Sequence, residues 1–283
     1  MIAAYLKGNA LLESIKSVKR DSDRFHLWWL GQSGFLIHWQ GQYLLLDPYL
    51  SDSLTLKYAS TEKPHIRMTE LVLDPSSLDF IDVVTSSHNH TDHLDADTLK
   101  PLMKVNPKMK FIIPEANRDF VTQRLQCDRD YPMGLNEKEK VSTGHFTFHG
   151  IPAAHNLLER NSKSQCLYMG YVVEFGPWKI YHSGDTLWYD GMEDILKPFG
   201  VDVAILPING NKPERKVAGN LDVDEAARLG HEIGARMVIP CHYDMFTFNT
   251  ADPAEFARVA IQMHQPFHIL QCGESWNSDL LPD

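Results

Sequence analysis

Residues 87–94 read Ser87-His88-Asn89-His90-Thr91-Asp92-His93-Leu94 and decide how the rest of this 283-residue chain is interpreted. Six consecutive residues contain four side chains of metal-binding type, and they follow an apolar run that ends near Thr85. In an extended turn, His88 and His90 point the same way because side chains alternate along extended backbone. Asp92 and His93 then fall at the start of the next predicted helix. One loop can therefore serve two ions, and imidazoles with a carboxylate suit Zn, Fe or Mn better than Ca.

One loop cannot complete two coordination spheres, so further ligands are expected at the ends of other strands. His155 and His242 each follow a predicted buried strand, and Asp185 follows Gly184, which permits the tight turn that presents a carboxylate. Each of the three, taken alone, is equally well explained as a polar residue at a strand end. Their recurrence at three successive strand ends predicts one shared site.

The hydrophobic pattern predicts an antiparallel meander followed by alternating strands and helices. Residues 25–46 contain three short apolar runs separated by glycine turns. Asp222 with Glu225 predicts a capping box, and Asp252-Pro253 predicts a second helix start. The remaining predicted strands are 80–84, 111–113, 146–151, 171–175, 178–181, 201–206, 236–239 and 267–270, and the other helices are 95–105 and 115–125. Hairpins combined with strand–helix–strand units indicate an α/β or α+β fold, built as two mixed sheets with helices outside.

The composition predicts one globular domain over residues 1–283. Hydrophobic residues make up 43% of the chain, and we find no low-complexity linker. The spacing of apolar residues predicts a helical segment over residues 1–20, with Leu11 and Ile15 on its apolar side. This side would either pack on the body of the protein or touch a membrane surface. We find no signal peptide and no apolar run long enough for a transmembrane helix.

Charge and cysteine usage limit the partners and the compartment. The formal net charge of −10 argues against a broad nucleic-acid-binding surface, which needs clustered Lys and Arg. The four cysteines form no Cys-x-x-Cys pair, so free thiols in a cytoplasmic protein are expected. A small-molecule substrate is therefore the expected partner, while nucleic acid and membrane are not expected. Oligomeric state does not follow from the sequence.

The ordered set His-x-His-x-Asp-His, His, Ser-Gly-Asp and Ile-Pro-x-His resembles the metallo-β-lactamase superfamily over nearly the whole chain. The resemblance implies an α+β fold, the four-layer αββα sandwich, and a hydrolase that uses a metal-bridging hydroxide. It assigns one ion to His88, His90 and His155, and a second ion to Asp92, His93 and His242. Asp185 would bridge the ions, and Asp92 and Asp185 would orient the nucleophile. Two divalent ions, Zn or Mn with Fe as a further possibility, are the implied cofactors.

A finer resemblance connects the chain to the L-ascorbate-6-phosphate lactonase-like branch. It rests on Trp28-Trp-Leu-Gly31-x-x-Gly34, Tyr181-His-Ser-Gly-Asp185, Val238-Ile-Pro-x-His242-x-Asp244 and Asn249-x-Ala-Asp252-Pro253. The chain is shorter than that family. Residues 87–95 also resemble the branch of N-acyl phosphatidylethanolamine-hydrolysing phospholipase D.

These resemblances imply hydrolysis of a small, phosphorylated lactone or ester. Metal-dependent phosphodiester hydrolysis of a phospholipid, a nucleotide or RNA is the first alternative, and a di-iron redox protein is an alternative of another class. The polar loops expected near the site are 57–67, 156–164 and 209–216. Their candidate substrate-binding residues are Arg67, Arg160, Asn209, Lys212 and Arg215.

Overall fold

The computed structural model describes residues 1–215 and 217–282. Within these ranges, the first sheet contains β1 (His26–Gly31), β2 (Gly34–Trp39), β3 (Gln42–Leu46), β4 (Val83–Thr85), β5 (Lys110–Pro114), β6 (Pro132–Leu135) and β13 (Ser275–Asn277). Their order across the sheet is β13-β1-β2-β3-β4-β5-β6. The strands from β13 to β3 pair antiparallel, which confirms the predicted meander, and those from β3 to β6 pair parallel.

The second sheet contains β7 (Lys140–Thr143), β8 (Phe146–Pro152), β9 (Met169–Phe175), β10 (Trp178–His182), β11 (Val203–Pro207) and β12 (Met237–Cys241). Their order is β12-β11-β10-β9-β8-β7, and β10, β11 and β12 run parallel. Because β8 and β10 are both antiparallel to β9, they share one direction with β11 and β12. Both sheets are therefore mixed, as the sequence predicts.

The helices of the described chain are α1 (Gly8–Ser17), α2 (Ser53–Tyr58), α3 (Ala96–Val105), α4 (Arg118–Leu125), α5 (Met192–Leu196), α6 (Val223–Glu232) and α7 (Pro253–Gln262). Helix α4 contacts α3 and β6 of the first sheet, whereas α6 contacts β11, β12 and α7 on the second. Between the sheets, Phe25 packs on Phe175 of β9 and on Trp178 of β10, with ring centroids 5.5 and 5.4 Å apart. The expected αββα sandwich is confirmed.

Local capping explains where the C-terminal helices begin. Asp222 Oδ1 accepts a hydrogen bond from Glu225 N at 2.9 Å, and Asp222 N donates to Glu225 Oε2 at 3.1 Å. This is the predicted capping box, which satisfies backbone groups that have no partner inside the helix. Asp252 caps α7 through Ala254 N, with Pro253 at the first helical position. Both predicted helix starts are confirmed.

The predicted strand over residues 267–270 is wrong. Only Phe267 forms an isolated bridge to Val238, and the first sheet instead ends at β13, which pairs with β1. The predicted helix 115–125 begins as a 3₁₀ turn over Glu115–Asn117 and becomes α-helical at Arg118. The apolar run therefore identified a segment that is half-buried up to Ile269 and buried at Leu270, without identifying strand pairing.

The N-terminal helix packs on the body. Leu11 and Ile15 of α1 are both fully buried in the main core, whereas Glu13 between them is exposed. Trp28 of β1 donates a hydrogen bond to Ser14 Oγ at 3.2 Å, which ties the helix to the first sheet. None of the described helices has the length and apolar character needed to span a bilayer.

We predict that Ile15→Ala lowers the free energy of unfolding by about 3 kcal/mol, because it leaves a cavity under α1. Glu13→Ala, on the exposed side, should stay within about 0.5 kcal/mol of wild type. Urea unfolding at constant metal concentration measures both variants. Equal stability of the two variants would show that α1 contributes no core packing.

Candidate metal centre

Strand direction brings the candidate ligands to one edge of the sandwich. The loops that follow β1, β3 and β4 leave the first sheet at the same edge, because these strands run parallel to one another. The loops after β8, β10 and β12 leave the second sheet in the same way. Residues His88 to His93, His155, Asp185 and His242 stand on four of these loops. Carboxyl ends of parallel strands commonly form ligand sites for this reason.

The seven residues predicted as metal ligands lie together. Their ligand atoms form three overlapping groups, each with all its atoms within 4.8 Å of one another. The groups are His88, His90 and His155; His88, His93 and Asp185; and Asp92, His93 and His242. The expected tight turn at Gly184 is also present, since Gly184 has a φ of +58° and a Cβ there would meet Ser87 Cβ at 2.5 Å. Only glycine fits this turn without strain.

Asp185 lies between the two sets of histidines. Its Oδ1 is 3.2 Å from His93 Nε2, and its Oδ2 is 3.5 Å from His155 Nε2 and 3.4 Å from His242 Nε2. The carboxylate therefore reaches both groups of histidines that the resemblance assigns to separate ions.

Outer hydrogen bonds orient the imidazoles. His93 Nδ1 contacts Asp47 Oδ2 at 2.8 Å, and His155 Nδ1 donates to the carbonyl of Gly219 at 2.9 Å. Both rings therefore turn Nε2 toward the cluster, and a ring that carries its proton on Nδ1 alone offers the Nε2 lone pair to a metal. The sequence analysis missed Asp47, which directly follows the last apolar run of the predicted meander, residues 25–46. A strand-end aspartate 41 residues before His88 carries no spacing signal of its own.

Gln32 is a second missed residue. Its Nε2 donates to Asp92 Oδ2 at 2.8 Å and lies 2.9 Å from His242 Nε2. Gln32, Asp47 and His242 have φ values of 52°, 38° and 64°, in the left-handed region that side chains rarely adopt. Strained backbone of this kind concentrates at functional sites.

Burial and neighbouring charge shift the pKa values of the cluster in opposite directions. Burial lowers the pKa of His155 to about 4, and it lowers the pKa of His88 well below its usual value, so both rings stay neutral at pH 7. Burial acts the same way on His93, but the carboxylates of Asp185, Asp92 and Asp47 together raise its pKa well above its usual value. Neutral imidazoles have the lone pair that a metal needs.

The residues present fit divalent metal ions. His88 Nε2 is buried and has no hydrogen-bond partner among the described residues, while the buried His93 Nε2 and Asp185 Oδ1 face each other at 3.2 Å. Buried polar atoms of native proteins normally have partners. A buried ring nitrogen without a partner, next to a buried carboxylate, is explained when cations complete the site.

A cavity of about 380 Å³ opens beside the cluster. Its described lining combines candidate metal ligands with cationic, aromatic and polar side chains that the sequence analysis did not single out. These side chains include Lys57, Tyr58, Lys63, His65, Arg124, Phe246, Phe248 and Asn249. Of the three loops expected near the site, 57–67 supplies part of this lining. Its contributing side chains are Lys57, Lys63 and His65 rather than Arg67.

The five candidate substrate residues do not line this cavity. Arg67 is buried against Asp52 and the carbonyl of Ser51, and Arg160 pairs with Glu137. Their charges already have protein partners, which is the physical reason that they do not face a substrate. Asn209 and Lys212 line a separate neighbouring cavity.

Arg215 stands behind the cavity wall. It donates through Nη1 to Asn249 Oδ1 at 3.1 Å and through Nη2 to the carbonyl of Thr250 at 2.8 Å. It therefore supports Asn249, which lines the cavity, without lining the cavity itself. Lys216, the last residue of the predicted loop 209–216, lies outside the described residues.

Comparison with known proteins agrees with this geometry. A protein of Rubrobacter xylanophilus described as a UPF0173 metal-dependent hydrolase is 27% identical over 84% of this chain and 90% of its own length. The mitochondrial N-acyl-phosphatidylethanolamine-hydrolyzing phospholipase D of Saccharomyces cerevisiae is 26% identical over 78% of this chain and 48% of its own.

A solved structure shows the same fold. It is a possible metal-dependent hydrolase from Veillonella parvula, which has a TM-score of 0.70 at 18% identity and covers 89% of this chain and 98% of its own. The sequence profile described as Beta-lactamase superfamily domain matches residues 26–242, which contain every candidate ligand. The chain therefore belongs to the metallo-β-lactamase superfamily and is a metal-dependent hydrolase.

Proposed function

We propose that this enzyme hydrolyses a small, phosphorylated lactone or ester at a centre of two divalent ions, Zn or Mn. The observation that carries the proposal is the position of Asp185 between the two histidine groups, within 3.5 Å of His93, His155 and His242. His88, His90 and His155 would hold one ion. Asp92, His93 and His242 would hold the other, with Asp185 shared.

Divalent ions held there supply Lewis-acid polarisation of a substrate oxygen and lower the pKa of bound water toward 7. The protein residues contribute orientation. Asp47 and the Gly219 carbonyl fix the rings of His93 and His155, and Gln32 fixes the carboxylate of Asp92. Asp92 and Asp185 are the carboxylates available to orient the attacking water and accept its proton.

Positively charged side chains around the cavity support the proposal that the substrate is anionic and phosphorylated. Lys57, Lys63 and Arg124 all line it, although the whole chain carries a formal net charge of −10. A local concentration of positive charge in an acidic protein favours binding of an anion at that place. These three residues take the role that the sequence analysis gave to Arg67, Arg160, Lys212 and Arg215. The proposed partner is a small molecule in the cytoplasm, with no nucleic acid.

A phosphodiesterase is the second candidate. The yeast relative is named a phospholipase D, and three large apolar side chains that are exposed to solvent lie close in sequence to residues that line the cavity. Leu56 and Ile66, which adjoin Lys57 and His65, are 74% and 54% exposed, and Leu157, two residues after His155, is 70% exposed. Exposed apolar residues on the loops that form a cavity favour an amphiphilic substrate. The family is shown by the match to the β-lactamase superfamily domain, and the Rubrobacter relative is named a hydrolase, so the di-iron redox alternative is not proposed.

We predict that Asp185→Asn loses at least one metal ion per chain, because the amide removes the negative charge that two cations would share. The rate of hydrolysis should fall by more than about a hundredfold. Elemental analysis of the purified variant measures the first effect, and Asp194→Asn on the exposed face of α5 is the matched control. Full metal content in Asp185→Asn would refute the bridging role.

The reaction class can be tested with a chromogenic panel. We expect protein loaded with Zn or Mn to hydrolyse lactones and p-nitrophenyl esters faster than bis-p-nitrophenyl phosphate, and chelated protein to hydrolyse none of them. Initial rates at one protein concentration give the comparison. Hydrolysis of bis-p-nitrophenyl phosphate alone would overturn the lactone or ester proposal in favour of the phosphodiesterase.

A further inference from the structure

One wall of the metal cavity is aromatic, and a histidine lies in the middle of it. The ring of His65 stacks on Tyr58, with centroids 4.3 Å apart and planes 22° apart. Phe246 and Phe248 meet the same ring edge-on, at 5.1 and 4.6 Å. We call these four residues the aromatic wall. Three neighbouring rings hold the imidazole of His65 in one orientation.

A backbone hydrogen bond fixes which nitrogen of His65 carries the proton. His65 Nδ1 lies 3.0 Å from the carbonyl oxygen of Lys63, which can only accept. Nδ1 is therefore the donor, and Nε2 is left with its lone pair. No described residue makes a hydrogen bond to Nε2. Burial lowers the pKa of His65, so the ring stays neutral at pH 7 and Nε2 remains an acceptor.

Asn249 presents the complementary group. Its Oδ1 accepts hydrogen bonds from Asn209 Nδ2 at 2.9 Å and from Arg215 Nη1 at 3.1 Å. Two donors on one atom identify it as the oxygen, so the free end of this amide is the NH₂ group. Within the described chain, Nδ2 has no hydrogen-bond partner. Asn209 is itself fixed by Asn220 Nδ2 at 3.0 Å, so the donor is held by a chain of side chains.

The acceptor and the donor belong to the same part of the cavity. Asn249 N donates to the carbonyl of Phe246 at 3.1 Å, and these two residues form an isolated antiparallel bridge. Phe246 in turn contacts the ring of His65. Both His65 and Asn249 line the cavity that the metal ligands line. An acceptor and a donor thus stand beside the aromatic rings of Tyr58, Phe246 and Phe248.

We infer that His65 and Asn249 are specificity-determining residues that bind a neutral group able both to donate and to accept a hydrogen bond. A hydroxyl, or the N–H and C=O of an amide, has this chemistry. His65 Nε2 accepts the substrate hydrogen, and Asn249 Nδ2 donates to the substrate oxygen. The inference rests on the proposed function, because it places this group on the part of the ester or lactone that does not react.

Packing alone does not require these polar atoms. A phenylalanine at position 65 would keep the ring contacts with Tyr58, Phe246 and Phe248. Polar groups in an apolar wall fix the orientation of a ligand, and leaving them unpaired in the bound complex is unfavourable. A substrate without the donor–acceptor group would therefore bind less tightly than one that has it.

The test uses three p-nitrophenyl esters, those of butyric acid, 3-hydroxybutyric acid and N-acetylglycine. The first lacks the group, the second supplies a hydroxyl and the third supplies an amide. His65→Phe and Asn249→Asp should each lower kcat/KM about tenfold for at least one of the two substituted esters, mainly through KM. For each variant, the loss with that substituted ester should exceed the loss with the butyrate ester by about tenfold, so the selectivity between esters is the readout. Asn249→Asp keeps the oxygen that Arg215 binds, and His231→Phe on the exposed face of α6 is the control.

Direct binding separates this inference from the proposed function. Calorimetric titration of the metal-loaded protein with butyrate, 3-hydroxybutyrate and N-acetylglycine needs no turnover. If the wild type hydrolyses no ester or lactone, the proposed function fails. The titrations still test whether His65 and Asn249 bind the donor–acceptor group. The expected result is that each variant loses the preference for a substituted acid over butyrate. Equal changes for all three acids, or no change for any, would overturn the inference.

Discussion

The buried carboxylate of Asp47 is the constraint on which the site depends. It is fully buried at the end of β3, where an unpaired charge would be strongly destabilising. It accepts hydrogen bonds from Thr85 Oγ1 at 2.8 Å, from the backbone of Ser87 at 3.0 Å and from His93 Nδ1 at 2.8 Å. Burial would raise the pKa of Asp47, but these donors and the neighbouring imidazoles lower it, so the group stays charged. One carboxylate therefore joins β3, the end of β4 and the metal loop.

The ligand set could be predicted from the sequence because its geometry is local. Period-two alternation relates His88 to His90, and strand ends place His155, Asp185 and His242 without knowledge of the tertiary fold. The structure brings all seven candidates together. The outer partners could not be found in this way. Asp47 meets His93 only because β3 and β4 pair in parallel, and nothing in the spacing of the sequence encodes that register.

Predictions that depended on long-range context failed for identifiable reasons. An arginine in a loop resembles a ligand-binding cation whether or not another part of the chain neutralises it. Arg67 illustrates this, since Asp52 and Ser51 occupy its donors and Tyr49 packs on its guanidinium. The apolar run 267–270 resembles a strand, yet Val238 pairs with it at one residue only. Burial and pairing are different properties, and the hydrophobic pattern reports only the first.

The strain at the site and its electrostatics have the same origin. Gln32, Asp47 and His242 adopt left-handed backbone, which few side chains tolerate, because the loops must turn sharply to aim their side chains at one point. Aiming many imidazoles at one point also removes them from water, and this keeps His88 and His155 neutral. The carboxylates of Asp92 and Asp185 outweigh that effect at His93 and raise its pKa. The cluster therefore holds the neutral imidazoles of His88 and His155 beside the buried carboxylate of Asp185 and the half-buried carboxylate of Asp92. Divalent cations bind imidazoles and carboxylates alike. The strained backbone of these loops is tolerated because metal binding depends on the side chains that it orients.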